Sequence, residues 1–382
     1  MCWGAWQCLP HLWFLPLGSL FRLTTYNGIS QRADMCMHDN LERNEQEVLQ
    51  GTCAAIVTYG DRVHFLKQVL EGVFSAGAGH AVVVDNGTAE SVAAEIARLP
   101  EIFGADRLTI IRLQTNTGSA GGFHAAIQAA ALRESTQHIW VLDDDNRPEP
   151  NSLKFLSKAW ISMGASKQVC LSGFREDKTT YKKLFKTCKF HGITKNSFFG
   201  FSMQTLLRKQ KAKVWQKDGL KCLQMQMSAY GGFWFHKSWI QKVGLPDARL
   251  FLYFDDYDFT LRITENGGQI WACQNSVLKD LELSWQVNDS VLQHWLREEE
   301  NFSRTYFSIR NRVYIERKFV KNKYIYDANI ILYFISKIIF KNRQSIYYHF
   351  RHPHLVCRRW KLIAQAIKAG KAADFQTPPP AV

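Results

Sequence analysis

Short apolar runs alternate with amphipathic stretches four times between Cys53 and Asp145. Each run is typical of a buried strand, and the stretches between them have apolar residues at helical spacing. The predicted strands are Ala54–Thr58, Ala81–Val84, Leu108–Leu113 and Ile139–Leu142, and the predicted helices are Asp61–Val73, Ser91–Leu99 and Phe123–Arg133. Strands that alternate with helices in this way are joined by right-handed crossovers and form parallel sheets. We therefore expect an α/β fold whose central sheet is mostly parallel, Rossmann-like and flanked by helices.

The pattern becomes less regular after Asp145. Val169–Phe174 and Tyr230–Phe235 have strand character, whereas Lys178–Lys221 is basic, poorly periodic and predicted to be a long excursion. Helical patterns follow Asn301, and the end of the chain is rich in proline. We expect three parts: an N-terminal extension over residues 1–50, an α/β domain over 51–300, and a helical, basic C-terminal region over 301–382.

The charge of the chain favours an anionic partner. The 382 residues have a net charge of +14, and the segment Arg317–Lys371 has 13 Lys or Arg residues and one acidic residue, Asp327. A membrane surface, a nucleic acid or a phosphorylated substrate would match this charge. The nine cysteines are scattered and never spaced as CxxC, which argues against a disulfide framework or a zinc site and for a reducing compartment.

Asp143, Asp144 and Asp145 directly follow the fourth predicted strand. The carboxyl ends of parallel strands are where open α/β sheets bind ligands. Three adjacent carboxylates repel one another unless a cation neutralises them, and Mg²⁺ or Mn²⁺ can be held by one or two carboxylates together with a phosphorylated ligand. The alternative is a solvated acidic turn, because Asn146, Arg147 and Pro148 come next.

Polar residues also follow the first three predicted strands. Thr58, Tyr59 and Arg62 follow the first, and Asp85 and Asn86 end the second. Asp85 can accept hydrogen bonds from a ribose hydroxyl or a base N–H, and Arg62 can meet a phosphate, although Asp-Asn-Gly is also a common turn. A glycine-rich segment, Asn116–Phe123, leads from the third strand into a helix, where glycines let the backbone approach a phosphate.

Two further motifs lie in the second half of the chain. In FDDYDFTLR, Asp255, Asp256 and Asp258 have aromatic neighbours. Partial burial would raise the pKa of such a carboxylate and suit a general base, whereas an acidic helix start is the structural alternative. In RNR, Arg310 and Arg312 can brace a phosphate or carboxylate, or form an exposed basic helix face.

The ordered set NTGSAGGF, WVLDDDNRPEP, FDDYDFTLR and RNR resembles family 2 glycosyltransferases of the GT-A fold over roughly Cys53–Tyr314. The bacterial rhamnosyl- and galactofuranosyltransferases are the most similar branch. The resemblance implies that Asp143 and Asp145 bind Mn²⁺ or Mg²⁺ on the donor diphosphate and that Asp256 is the catalytic base. Galactofuranosyltransferases have a metal-binding histidine 24 residues beyond the base. The same count leads here to Asp280, with Glu282 or no residue as alternatives.

The function implied is that of an inverting, metal-dependent hexosyltransferase acting on a nucleotide-diphosphate sugar. The expected donor site consists of Thr58, Tyr59, Arg62, Asp85, Asn86, Asn116, Gly118 and Asp144. The expected acceptor site consists of Gly231, Gly232, Trp234 and Asp255. The acceptor would be a cell-surface glycan or a lipid-linked glycan, and the protein would be cytoplasmic and peripheral at the inner face of the cell membrane, where basic C-terminal residues attract anionic lipids.

Two other classes of protein share some of these features. A Rossmann-like nucleotide-sugar-modifying enzyme would have the same alternation, but the first strand-to-helix turn lacks the G-x-G-x-x-G spacing of glycines here. A basic nucleic-acid-binding protein would explain the charge but not two aspartate clusters, which repel phosphate, so no nucleic acid is expected as a partner.

Overall fold

The computed structural model describes residues 42–203, 211–282, 302–341, 353–376 and 379. Most of the predicted N-terminal extension and the segment 283–301 therefore lie outside the described residues. The chain divides into two units, residues 1–46 and 47–382. Of the first unit only residues 42–46 are described, and these are helical. All the strands of the fold and all its helices beyond Thr52 belong to the second unit.

The described chain contains one central sheet of ten strands. Its strands are β1 Thr52–Thr58, β2 His80–Asn86, β3 Leu108–Leu113, β4 His138–Asp143, β5 Asn146–Pro148, β6 Val169–Arg175, β7 Val214–Lys217, β8 Leu220–Met225, β9 Phe233–His236 and β10 Gln269–Asp280. Their order is β3-β2-β1-β4-β9-β6-β10-β8-β7, with β5 paired to β10. The pairings make seven of these ten strands run in one direction and β5, β8 and β9 in the other. The prediction of a mostly parallel sheet is confirmed.

Helices flank the sheet and continue beyond it. They are α1 Val63–Ser75, α2 Glu90–Ala97, α3 Leu99–Phe103, α4 Gly118–Leu132, α5 Ser152–Ser162, α6 Thr179–Thr187, α7 Ser238–Val243, α8 Asp255–Glu265, α9 Phe302–Glu316, α10 Lys323–Lys341 and α11 Pro353–Ala372, with short 3₁₀ turns at Ala248–Leu250 and Arg317–Phe319. The three helices predicted in the first half are present. However, α4 starts five residues earlier than predicted, so the glycine-rich segment forms its first turns rather than a loop before it.

The second half differs most from the prediction. The basic segment expected to be an excursion contains α6, β7 and the first two residues of β8, and the long strand β10 was not predicted. β7 pairs only with β8 at the edge of the sheet and has no fully buried residue, so its sequence lacks an apolar run. β10 is interrupted by a shift in register between Ala272 and Val277, which breaks its alternation.

Alternate residues of β1 enter two apolar cores, one on each face of the sheet. Ala54 and Ile56 belong to one core, and Cys53, Ala55 and Val57 belong to the other. A strand buried on both faces has a continuous apolar sequence, which is why the central parallel strands were easy to predict. A third apolar cluster joins α9, α10 and α11 and includes Tyr306, Ile330 and Ile363. Among the described residues no helix combines the length and apolarity needed to cross a membrane.

Candidate active site

The polar residues predicted from the strand ends lie at one edge of the sheet. β1, β2, β4 and β6 run in the same direction, so Thr58, Asp85, Asp143 and Arg175 all stand at carboxyl ends. This is the edge at which open α/β sheets form their ligand crevice.

Asp144 is held inside the protein by residues of the first strand end. Its carboxylate accepts hydrogen bonds from Thr58 Oγ1 at 2.7 Å and from Arg62 Nε at 2.9 Å, and the residue is only 3% exposed. Burial raises the pKa of Asp144 to about 7, while Arg62 and Thr58 oppose the rise. Thr58 and Asp144 thus bind each other. Of the residues predicted at the first strand end, Tyr59 is the exposed one, at 44%, and the Arg62 guanidinium lies 5.3 Å from the centre of its ring.

Asp143 and Asp145 differ from Asp144 in being open to the crevice. Their side chains are 40% and 20% exposed. Asp143 has a distant ion pair with Arg175 at 3.9 Å, and Asp145 pairs with Arg62 at 3.2 Å. Burial of the site and the repulsion from Asp145 raise the pKa of Asp143 to about 6, and burial also raises the pKa of Asp145.

This pair of carboxylates fits a divalent cation. Mg²⁺ in phosphate-binding sites usually has one or two protein carboxylates, with substrate phosphates and water as its other ligands. Two partly exposed oxygen ligands whose charges repel each other meet that requirement. Among the residues that the structure describes, no three His, Cys, Asp or Glu side chains form a metal-binding group.

Asp280 has other partners. Its Oδ1 accepts hydrogen bonds from Arg175 Nε and Nη2 at 3.0 and 2.7 Å and from Asn146 Nδ2 at 3.1 Å, and Lys178 Nζ lies 2.8 Å from its Oδ2. Both oxygens of this nearly buried carboxylate are therefore engaged with cationic side chains. These contacts do not support the prediction of a third metal ligand at Asp280. The alternative, Glu282, pairs with Arg62.

Asp255 and Asp256 form the start of α8. Asp255 is 2% exposed, accepts a hydrogen bond from Ser119 Oγ at 2.9 Å, and its Oδ2 has no hydrogen-bond partner within the described part of the chain. Burial raises the pKa of Asp255 to about 7. Burial and the neighbouring Asp255 raise the pKa of Asp256 well above the ordinary value, and Asp143 adds to the rise in both residues. The hydrogen bond from Ser119 holds Asp255 beside the start of α4, and the effect of Asp143 shows that the two aspartate clusters lie within electrostatic range of each other.

The loop before α8 has an unusual backbone. Phe251, Tyr253 and Phe254 have φ values of +64°, +67° and +63°, a region that side chains other than glycine rarely adopt. The Phe251 carbonyl accepts from Ala120 N at 3.1 Å. A Cβ on Gly118, whose φ is +72°, would lie 1.9 Å from the same carbonyl, so this position requires glycine. In the structure the glycine-rich segment thus allows close contact with the loop before α8, whereas the sequence suggested close contact with a phosphate.

Asn311 secures this loop from α9. Its Nδ2 donates to the carbonyls of Leu250, Leu252 and Tyr253 at 2.9, 2.9 and 2.8 Å. Arg310 Nη2 donates to Leu250 O at 2.9 Å.

Arg310 and Arg312 do not form an exposed basic face, because they are only 2% and 6% exposed. Arg312 pairs with Glu316 at 2.6 Å. Within the described residues the RNR motif therefore braces backbone and an internal carboxylate.

Of the other predicted donor residues, Asn86, Asn116 and Gly118 form one hydrogen-bonded group, and Asp85 is bonded within its own turn. Asn86 Nδ2 donates to Gly118 O at 2.9 Å, and Asn86 Oδ1 accepts from Thr117 N at 2.9 Å. Asn116 Oδ1 accepts from Gly118 N at 2.8 Å, and Asp85 Oδ1 accepts from Thr88 N at 2.9 Å. These contacts join the second and third strand ends into one wall of the crevice.

The predicted acceptor residues have mixed outcomes. Trp234 is fully buried in the sheet, stacks on His138 with ring centroids 4.0 Å apart, and donates to Thr52 Oγ1 at 3.2 Å. The prediction that its face stacks on a sugar is wrong. Gly231 and Gly232 precede β9. A Cβ on Gly231 would lie 2.3 Å from Asn146 Oδ1, so the close packing at this position requires glycine.

Three residues near the clusters were not predicted: Ser119, Arg175 and Lys178. Arg175 ends β6, and its guanidinium lies between Asp143 and Asp280. Applying the strand-end argument to the predicted strand Val169–Phe174 would have found it, because the next residue is Arg175.

Residues 53–230 match the family model for glycosyl transferase family 2. Over this segment, a little under half of the chain, the protein is similar to family 2 glycosyltransferases. This match agrees with the resemblance drawn from the sequence motifs, and the expected mostly parallel sheet flanked by helices is confirmed. The match ends before Asp255 and Asp256, so their roles rest on geometry. No curated protein matches the sequence.

Solved structures are similar at low identity. GalNAc-T7 with UDP, GalNAc and Mn²⁺ has a TM-score of 0.49 and 14% identity over 87% of this chain and 59% of its own. The mannosyltransferase PcManGT of Pyrobaculum calidifontis, in complex with GDP-Man and Mn²⁺, has a TM-score of 0.47 and 11% identity, covering 85% of this chain and 87% of its own. TarS of S. aureus has a TM-score of 0.43 and 11% identity over 84% of this chain and 55% of its own. The chain thus spans less than two thirds of the first and third of these proteins.

Proposed function

We propose that this protein is an inverting, metal-dependent glycosyltransferase that moves a sugar from a nucleotide-diphosphate donor to an acceptor hydroxyl. The observation that carries the proposal is that two aspartate clusters lie within electrostatic range of each other, Asp143 and Asp145 at the end of β4 and Asp255 and Asp256 at the start of α8. The family 2 match over residues 53–230 supports the reaction class.

Asp256 is the proposed general base. A general base works best when its pKa is close to the working pH. Burial together with Asp255 raises the pKa of Asp256 above the usual range of a carboxylate. The acceptor oxygen would attack the anomeric carbon as Asp256 takes its proton. A single displacement of this kind inverts the anomeric centre. Asp255, with an unpartnered Oδ2 among the described residues, would accept a hydrogen bond from the acceptor.

Asp143 and Asp145 are the proposed ligands of Mn²⁺ or Mg²⁺. Such a cation supplies charge neutralisation to the departing nucleoside diphosphate. Arg62 and Arg175 hold the neighbouring carboxylates in place through their ion pairs. The wall formed by Asp85, Asn86, Asn116 and Gly118, with Tyr59 at its edge, is the proposed nucleotide side.

The proposed donor sugar is of the rhamnose or galactofuranose type, and the acceptor is a glycan at the cell surface or on a lipid carrier. The support is the order of the four sequence motifs for the sugar and the basic C-terminal region for the lipid. We propose that the protein works in the cytoplasm, peripherally attached to the inner face of the membrane.

Replacing the base tests the reaction. Asp256→Asn keeps the shape of the side chain but removes its proton affinity, so transfer should fall roughly 10²–10⁴-fold while donor binding is retained. The measurement is donor affinity by calorimetry beside turnover with an acceptor. Loss of donor binding in Asp256→Asn would contradict the assignment.

A further inference from the structure

Helix α10 is apolar on both its buried and its exposed side. Tyr324, Ile331 and Ile335 are 74%, 59% and 42% exposed. They stand seven and eleven residues apart from Tyr324, a spacing that puts all three on one side of a helix. Ala328, which is also exposed, lies between them. We call Tyr324, Ala328, Ile331 and Ile335 the apolar stripe.

The opposite side of α10 is already covered within the protein. Its residues Tyr326, Ile330, Tyr333 and Phe334 are buried in the cluster shared with α9 and α11. As far as the described residues go, the stripe therefore stays exposed after α9, α10 and α11 have packed together. A helix with apolar residues all round belongs in a large core or against a membrane.

The charges around the stripe are positive. Lys321 and Lys323 are exposed beside Tyr324 at the start of α10. α11, which packs on α10 with the Phe334 and Trp360 rings 5.0 Å apart, exposes Lys361 and Lys368. The acidic residue of this segment, Asp327, pairs with Lys371 at 2.5 Å.

We propose that the apolar stripe is a docking surface for an anionic lipid bilayer. Tyr324, Ile331 and Ile335 would enter the boundary between headgroups and acyl chains, and the exposed lysines would contact anionic headgroups. The helix would lie along the surface, in keeping with the finding that no described helix can span a membrane. A second copy of the chain fits less well, because pairing the stripe with itself brings the lysines together.

This inference deepens the proposed function, since it names the surface by which the enzyme would reach a membrane-bound acceptor, and it rests on that function in this respect. Its test uses no sugar donor, so the two can fail separately. Failure to bind vesicles with donor turnover intact would remove only the docking surface. Vesicle binding with no turnover of any donor would remove only the transferase.

The experiment is vesicle flotation of the full chain. Vesicles of phosphatidylcholine with phosphatidylglycerol are compared with vesicles of phosphatidylcholine alone, in low and high salt. The stripe variant is Ile331→Ser/Ile335→Ser, and the matched control is Ile102→Ser/Leu132→Ser, which removes equally apolar side chains that are 65% and 77% exposed on α3 and α4.

The wild type and the control should float with the anionic vesicles in low salt, and less in high salt because the charges are screened. The stripe variant should bind these vesicles about 10-fold or more weakly, because two isoleucines no longer leave water. The proposal is overturned if the wild type does not bind anionic vesicles in low salt, or if stripe and control variants bind equally. It is also overturned if light scattering shows a wild-type dimer that the stripe substitutions make monomeric.

Discussion

Replacing Asn311, a residue of α9, by alanine should distort the loop before α8. The change removes an amide that donates to three carbonyls of the loop, those of Leu250, Leu252 and Tyr253. The two protons of this amide serve three carbonyl acceptors, and each lost hydrogen bond contributes about 1 kcal/mol. We therefore expect the free energy of unfolding to fall by about 2–3 kcal/mol, with a decrease in Tm of roughly 3–5 °C.

The larger consequence concerns strain. Phe251, Tyr253 and Phe254 have positive φ values, and each such residue costs about 1–3 kcal/mol that the surroundings must offset. Without Asn311 the loop should relax toward ordinary backbone angles and displace Asp256, two residues beyond Phe254. A misplacement of about 1 Å can cost on the order of 10²-fold in rate. We expect a lower kcat with little change in the KM for the donor.

Asn329→Ala is the matched control. Asn329 is also a buried asparagine of the helical layer, but its amide donates to Asn196 O at 2.8 Å and does not contact the loop. Hydrogen exchange of the amides over 250–256, with Tm and kcat, compares the two variants. Faster exchange and lower kcat are expected only in Asn311→Ala. If both variants lose the same Tm and leave exchange and kcat unchanged, the reasoning about the strained loop is wrong.

Three other changes test the charged groups. Asp143→Ala or Asp145→Ala should abolish donor turnover, as should EDTA on the wild type; full activity in EDTA, with no metal left on the protein, would count against a cation site. Asp280→Ala should lower the Tm measured without cation and leave cation affinity by calorimetry nearly unchanged, because its carboxylate pairs with Arg175 and Lys178; a large loss of cation affinity would instead show a third ligand. Burial raises the pKa of Asp255 to about 7, above that of the unfolded chain, so its contribution to stability is present at low pH and lost as the pH rises through 7. Asp255→Asn should therefore raise the Tm at pH 8 relative to the wild type and weaken the dependence of Tm on pH between 4 and 8, and a lower Tm for the variant at pH 8 would refute this.

The strands β1, β2 and β4 could be predicted because they are buried on both faces. All seven residues of β1 are buried, and its sequence is accordingly apolar without interruption from Cys53 to Val57. β7 has mostly exposed residues and β10 alternates irregularly across a shift in register, so neither produces a recognisable period. Burial on both faces, rather than length, made a strand predictable from the sequence.

The residues of the candidate site likewise fall into those that could be predicted from the sequence and those that could not. Asp143, Asp145, Asp255 and Asp256 were singled out from their position in the chain, and in the structure Asp143 lies within electrostatic range of Asp255 and Asp256. The sequence could not show that Trp234 faces inward, because an aromatic residue in a strand next to glycines is equally typical of a sugar site and of a core. Nor could it show that Arg310 and Asn311 reach the loop before α8, since that contact joins residues about sixty positions apart.

The partners of Asp280 illustrate the same limit. A carboxylate at the spacing of a metal ligand is chemically able to bind Mg²⁺ or Mn²⁺. Whether it does depends on its neighbours, and here Arg175 comes from β6 and Lys178 from the turn after it, both more than a hundred residues earlier.

The most direct test of the central claim is donor hydrolysis by the purified, folded chain. UDP-, dTDP- and GDP-sugars are incubated with Mn²⁺, with Mg²⁺ or with EDTA, and release of the nucleoside diphosphate is measured for the wild type and for Asp143→Ala. We predict release from one class of donor that requires the divalent cation and is lost in Asp143→Ala. Equal release in EDTA and in Asp143→Ala, or no release and no calorimetric binding for any donor of the panel, would contradict the account.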